Sequence, residues 1–246
     1  MSIRKLCSVA MLGIAALLLL KIFTVQLSGP SSPRPGARAR MLPDRSLSPM
    51  RQPSGHSGRQ SVLPVQFRNP KDLGVGKLLV ASRGLGDPNF AGTVVLLVHY
   101  DEDGVVGLIL NRRTDFPLSR ALDFKAAKER SDRLYVGGPV GTSSVFGLLQ
   151  STDKPEGAEH VVGAIYMISS KTLFEQTISK KPDADVFRVY LGYAGWNPQQ
   201  LRQEVALGAW FVFPGDVTTV FDPHRDSLWP RMIHKTELEL AQAIFD

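Results

Sequence analysis

The sequence predicts an α+β fold: a single compact domain with a mixed, mostly antiparallel sheet flanked by helices, preceded by an apolar helix and a disordered linker. Three observations carry this. Strand-like runs such as 93–100 and 209–213 are short, apolar and bounded by glycine-containing turns. Helical spacing occurs singly between them and not in the regular alternation of a doubly wound parallel sheet. Charge also changes abruptly along the chain. Residues 1–70 hold ten Lys or Arg against one acid, a surplus of nine; the whole chain carries +6, so residues 71–246 carry −3. The division that follows is 1–28, a membrane anchor or signal segment; 29–71, a basic linker; and 72–246, the folded domain.

In the leader, Arg4 and Lys5 precede an uncharged run at 6–20, followed by Lys21 and the apolar residues 22–25. That run alone falls short of the roughly 20 residues a spanning helix needs. With Lys21 extended toward a headgroup, residues 6–25 are long enough, and they are expected to hold the chain to a membrane by a single N-terminal segment. The heavier positive charge follows the segment, which favours an expectation that the domain lies on the cytoplasmic side. A cleaved signal, leaving a secreted or periplasmic domain, stays open although no small-x-small site follows; so does an organellar transit peptide. Residues 29–71 are rich in Pro, Ser, Gly and Arg and cannot bury enough surface to offset ordering entropy, so they read as a solvated tether.

The domain's elements follow in order. Residues 77–82 read as a strand and 83–90 as a turn. Residues 93–100 form a continuous apolar strand that returns through a tight turn at Asp101–Gly104 into 105–110, a hairpin. Residues 118–130 carry Leu118, Leu122 and Ala126 at helical spacing. Short strands are expected at 134–136, 145–149 and 161–168, and a helix at 170–179 with Leu173 and Phe174 inward. A strand over 186–193 then gives way to a helix start at Asn197. Asn197 caps, Pro198 occupies the first helical position where its missing N–H is harmless, and Gln200 completes a capping box. Leu201 and Val205 continue that helix until Gly208 ends it, and 209–213 returns as a strand. A short helix near 216–221 and a final one at 228–245 complete the domain.

Net charge argues against nucleic acid as the domain's partner, since the basic residues concentrate in the leader. The single cysteine, Cys7, also lies there, so the domain has no disulfide, thiolate metal site or cysteine nucleophile. His99, His160, His224 and His234 are scattered without ligand spacing, so no metal and no cofactor are expected. Asp222, His224 and Asp226 read as a solvated turn. Gly84 and Gly86 lack the third glycine of a dinucleotide loop and the Lys-Ser/Thr of a P-loop, and Asp87 beside them suits a turn. Gly137 and Gly138 after a strand read as a chain reversal, with an anion-binding nest as the alternative. Trp210 belongs to an apolar strand and hence to the core. The candidate binding surface comprises Asp87, Asn111, Gly137, Gly138, Tyr193 and Trp196, because aromatics and glycines gathered at turns are what interfaces use. No catalytic residue is assigned.

The motifs Gly76-Lys-Leu-Leu-Val-Ala, Asp87-Pro-Asn-Phe, Gly107-Leu-Ile-Leu-Asn, Gly137-Gly-Pro, Leu191-Gly-Tyr-Ala-Gly-Trp, Gln200-Leu-Arg-Gln-Glu and Ala209-Trp-Phe occur in that order. In this succession the chain resembles the YqgE/AlgH family over roughly residues 72–235. The resemblance implies a compact α+β domain with a mixed sheet. It also brings the family's usual label, transcriptional regulator, without a recognisable DNA-binding motif behind it. Two departures stand out. Members of that family typically begin at the domain and are cytoplasmic, whereas this chain adds about 70 residues containing an apolar segment. Where they usually carry Met-Pro after the first strand, this chain has Ser82-Arg83.

The expected function is therefore a non-catalytic regulatory or protein-interaction domain, tethered to a membrane and acting on a protein partner not identified by the sequence. A DNA-binding transcriptional regulator is the first alternative. An enzyme built on Asp87, His99, Asn111 and the Gly137-Gly138 turn is the second.

Overall fold

The computed structural model describes residues 69–123 and 125–245. The expected apolar segment at 6–25 lies outside the described residues, as does the basic linker up to residue 68. Among the described residues no helix is long and apolar enough to cross a membrane. The first feature is a 3-10 turn, Pro70–Asp72, in which Asn69 Oδ1 accepts from Lys71 N at 3.0 Å.

Ten strands follow: β1 Lys77–Ala81, β2 Val94–Tyr100, β3 Val105–Ile109, β4 Arg113–Pro117, β5 Arg133–Val136, β6 Val140–Gln150, β7 Glu159–Val162, β8 Ile165–Ile168, β9 Phe187–Trp196 and β10 Trp210–Pro214. They are joined by helices α1 Leu118–Ala121, α2 Lys125–Lys128, α3 Lys171–Ser179, α4 Pro198–Ala206, α5 Val217–Val220 and α6 Leu228–Phe245. All ten strands belong to one sheet in the order β10-β1-β2-β3-β9-β6-β8-β7, with β5 beside β9 and β4 beside β5. The β5–β9 pairing is parallel and the other described pairings are antiparallel. The α+β, mixed and mostly antiparallel expectation therefore holds.

The sheet is curled, and side-chain alternation shows how. Leu78, Val80, Leu96, Leu108, Phe146, Leu148, Met167, Tyr190 and Phe211 project to the inner face and merge into one core with Phe221, Leu228 and Ile233. The outer face carries two separate cores. At the β1–β3 and β10 end, Leu79, Leu97, Ile109, Trp196, Trp210 and Val212 pack beneath Leu201 and Val205 of α4. At the β6, β8 and β9 end, Ile168, Phe187 and Val189 pack beneath Leu118, Leu173, Phe174 and Ile178. Gly76 marks the closing of the curl: a Cβ there would stand 2.8 Å from Val162 Cβ, so the chain entering β1 is pressed against β7.

The expected cap at Asn197 is made, and Ser170 and Asp216 cap two further helices. Ser170 Oγ accepts from Leu173 N at 3.2 Å, Asn197 Oδ1 from Gln199 N at 2.8 Å, and Asp216 Oδ1 from Thr219 N at 2.8 Å. Gly208 ends α4 with φ +80°, the left-handed position glycine favours. The capping box is not formed, because Gln200 Nε2 turns to Glu204 Oε1 at 2.8 Å.

Three expectations need correction. The single helix over 118–130 is two short helices, since Leu122 turns extended (φ −116°, ψ 121°) and packs against the outer core. The strand over 161–168 is a hairpin, β7 and β8, paired Val162↔Ile165 around Gly163 at φ +54°. Strand β4 was not foreseen; it is largely exposed and polar and therefore lacks an apolar period.

Strand β9 also runs through Gly195 to Trp196, where a break was expected. It changes phase on the way. Arg188 and Tyr190 face inward while Phe187 and Val189 face outward, yet Tyr193 is inward and Ala194 and Trp196 are outward. The extra residue is Gly192, at φ +68°, opposite an irregularity in β6 between Val140 and Val145. A Cβ on Gly192 would lie 2.6 Å from Gly138 O.

Candidate functional site

Strand β5 pairs with β9 through Tyr135↔Tyr190 and Val136↔Leu191. On the N-terminal side of those pairs the two strands part, and a cavity of about 180 Å³ opens between them. Four arginines line it: Arg113 from β4, Arg133 from β5, Arg188 from β9 and Arg225 from the 3-10 turn Arg225–Ser227. Tyr135 lines it as well.

Arg188 is 3% exposed, an uncommon burial for a cation. Its Nη1 donates to Val220 O and its Nη2 to Asp222 O, both at 2.8 Å. These are carbonyls at the C-terminal end of α5, which has no further helical N–H to offer them. The guanidinium carbon also lies 5.4 Å from the Tyr135 ring centre and 5.5 Å from that of Phe221. Arg225 Nε is buried without a hydrogen-bond partner, and the buried Tyr190 hydroxyl lies against the Arg188 guanidinium. Arg225 stands 5.4 Å from the Tyr135 ring, and Arg133 Nη1 donates to Asp115 O. Asp132 is the one acid in the lining among the described residues, and it is paired with Arg130. Burial pushes the Tyr135 phenol up, against the pull of Arg188, Arg225 and Arg113, so the group stays protonated at neutral pH.

Such a cleft can bind and orient an anion. Guanidinium groups do not deprotonate in the physiological range, so the arginines supply fixed positive charge and directed donors.

The sequence-predicted surface residues are placed elsewhere. Asp87 is exposed and accepts from Asn89 N at 2.8 Å, the expected local turn. Asn111 is committed to the backbone: Oδ1 accepts from Val94 N at 3.0 Å and Nδ2 donates to Gly92 O at 2.9 Å. Gly137 N donates to Leu191 O and Gly137 O accepts from Ile109 N, which excludes the anion-nest alternative for that N–H. A Cβ on Gly138 would stand 2.2 Å from Tyr193 C, so close backbone packing selects this glycine. Tyr193 lies in the inner core and Trp196 in an outer one. None of the six lines the arginine cleft, and Tyr193 and Trp196 lie on opposite faces of the sheet.

Trp196 instead belongs to an aromatic lock. Glu204 Oε2 accepts from Trp196 Nε1 at 3.2 Å and from Trp210 Nε1 at 2.9 Å. Phe90 stacks on Trp196 at 5.4 Å and meets Trp210 edge-on at 5.6 Å. His99 Nε2 lies 2.8 Å from Asp101 Oδ2. Asp101 also accepts from Asp103 N and Gly104 N, so this pair secures the β2–β3 turn. In the turn with His224 and Asp226, Asp222 is buried and bonded to Arg231 and to His224 N.

The four arginines of the cleft escaped sequence reading because they come from four distant segments. Arg188 alone left a signal, as a lone cation at an inward-facing position of an otherwise apolar strand.

The chain matches a family model described as AlgH-like over residues 78–241. It is 34% identical over 173 residues to a UPF0301 protein of Streptomyces coelicolor, covering 68% of this chain and 88% of that one. A UPF0301 protein of Chlorobaculum tepidum is 33% identical over 159 residues, covering 64% and 84%. Among solved structures, the solution structure of the AlgH protein from Pseudomonas aeruginosa is similar with a TM-score of 0.53 at 26% identity, covering 79% of this chain and 97% of that one. A protein from Corynebacterium diphtheriae has a TM-score of 0.54 at 23% identity, covering 66% and 87%, a likeness of fold alone.

Proposed function

We propose, from the premise that this chain belongs to the AlgH-like family, that its domain is a regulatory module acting by binding, without catalysis, and held at a membrane by residues 6–25. The observation that carries the binding role is the cleft between β5 and β9, where four guanidinium groups face a cavity of about 180 Å³. Fixed charge and directed donors recognise an anionic group, whose binding governs retention of the protein partner. The tether rests on the sequence: an uncharged run flanked by Arg4, Lys5 and Lys21, followed by a basic stretch suited to an anionic lipid surface.

Two experiments test this reading. Membrane fractionation of the full chain beside a variant lacking residues 1–28 should find the full chain in the alkali-resistant pellet and the variant in the supernatant; equal partitioning removes the tether. Cross-linking of the full chain in intact membranes should then recover a specific protein that the double variant Arg113→Glu, Arg225→Glu fails to retain. Identical recovery with both forms removes the cleft from the function. The DNA-binding alternative predicts instead duplex affinity that falls steeply with salt and survives deletion of residues 29–68.

A further inference from the structure

We infer that the arginine cleft is a receptor for a compact phosphoryl group carried by a small soluble molecule. This deepens the binding role proposed above and rests on it. Three observations set the chemistry. The charge is lopsided: Arg113, Arg133, Arg188 and Arg225 line the cavity, the single acid in the lining among the described residues, Asp132, is already matched by Arg130, and Asp226 stands near enough to act on Tyr135. A lone carboxylate would neutralise one of four guanidiniums, whereas a phosphate or pyrophosphate carries two or more negative charges into the same volume.

The second observation is directional. The four arginines reach the cavity from four separate elements, β4, β5, β9 and the 3-10 turn. A carboxylate offers two oxygens in a plane, while a terminal phosphoryl group offers three arranged as a tripod, the better match to donors from four separate elements. A donor is also left over. Arg188 is held by two carbonyls and stacked near Tyr135 and Phe221, and Arg225 retains a buried Nε without a partner. Tyr135, protonated at neutral pH, lines the same cavity.

The third is size. About 180 Å³ is smaller than the roughly 300–1,000 Å³ of sites that enclose a whole drug-sized ligand. The cleft therefore encloses a headgroup and leaves the rest of the molecule at its mouth. Exposed Arg113 and Arg133 stand toward that mouth, while buried Arg188 lies at the back.

The test is calorimetric titration of the full chain, in detergent at constant ionic strength, with pyrophosphate, inorganic phosphate and acetate. Saturable pyrophosphate binding is expected, with acetate at least about tenfold weaker. The variants Arg113→Gln and Arg225→Gln should each weaken pyrophosphate about tenfold, and Arg83→Gln, on an arginine bound to Glu237 away from the cleft, should leave it unchanged. Unaltered circular dichroism and tryptophan emission establish that these variants are folded. A monomeric short-chain phosphatidic acid forms a further arm. Weaker binding than pyrophosphate supports the soluble source, and tighter binding that is lost in the same variants overturns that source in favour of a lipid headgroup. Equal affinity for acetate and pyrophosphate, an absence of saturation up to about 10 mM, or variants that bind like the parent overturn the inference. A cross-linked protein partner recovered despite such a result would leave the binding role standing without its phosphoryl chemistry.

Discussion

Replacing Glu204 by alanine tests the energetics of the outer core most directly. One oxygen of this half-buried side chain accepts from the indole N–H groups of both Trp196 and Trp210, while the other accepts from Gln200 Nε2. Trp196 is 4% exposed and Trp210 is fully buried, so water does not readily replace the carboxylate at either indole. Hydrogen bonds to a charged group contribute about 1.5–3 kcal/mol each. Allowing for the part of Glu204 that reaches solvent, the two indole bonds together come to about 2–4 kcal/mol. The Glu204→Ala variant should unfold at lower urea by that amount, and its Tm should fall by roughly 5–12 °C for a domain of this size. Glu204→Gln keeps an acceptor without the charge and should lose about half as much. Tryptophan emission reports the event, because two of the three tryptophans sit in the lock. A Tm within about 1 °C of the parent, with unchanged emission, would refute the claim that this carboxylate fastens α4 to the sheet.

Gly138→Ala should abolish cooperative unfolding or lower stability by more than about 3 kcal/mol, since its Cβ would meet Tyr193 C at 2.2 Å and Ala194 N at 2.3 Å. Gly84→Ala, with nothing within 4 Å of a Cβ, serves as the comparison and should be neutral or slightly stabilising in the same urea titration. Asn111→Ala should cost about 1–3 kcal/mol by leaving Val94 N and Gly92 O without their side-chain partner, again read from urea midpoints. For Asp222, burial pushes the carboxyl up, but the Arg231 hydrogen bond, the His224 N–H and nearby positive charge outweigh it and hold it below the usual carboxylate range. Its contribution is thus complete above the unfolded value near about pH 4 and is lost as pH falls through the lower folded value. Asp222→Asn should flatten that acid limb of stability against pH, and an unchanged limb would show that other carboxylates dominate it.

Sequence reading located what depends on local chemistry. Strands β1, β2, β3 and β10 were legible because apolar residues run between turn signals, and the cap at Asn197 was legible because capping is a contact within three residues. It failed where tertiary packing decides. Leu122 leaves the helix to bury its side chain, and the unbroken apolar run at 161–168 hid a reversal that Gly163 alone announced. The candidate surface residues did not gather in one place for a related reason: aromatics and glycines at apparent turns have two uses. Here Tyr193 and Trp196 are core, and Gly137 and Gly138 are small because β9 passes against them. The arginine cleft requires knowing that β5 lies parallel to β9, a pairing with no sequence signal of its own.

That same strand ties the lock to the cleft. With strict two-residue alternation, placing Trp196 on the outer face would put Arg188 outward as well, away from the carbonyls of Val220 and Asp222. The extra residue at Gly192 changes the phase between them, so one strand sets a cation inward at one end and an indole outward at the other. Gly192 is suited to this because it sits at φ +68° and a Cβ would collide with Gly138 O at 2.6 Å and Val140 O at 2.9 Å. Gly192→Ala is therefore expected to lower stability by about 3 kcal/mol or more through strain and backbone collision together. It should also disturb tryptophan emission and pyrophosphate binding in the same sample, although the new methyl group touches neither Glu204 nor any arginine. A folded Gly192→Ala protein with native stability and both readouts intact would show that the two ends of β9 are set independently, and that the arginine at its start owes nothing to the bulge.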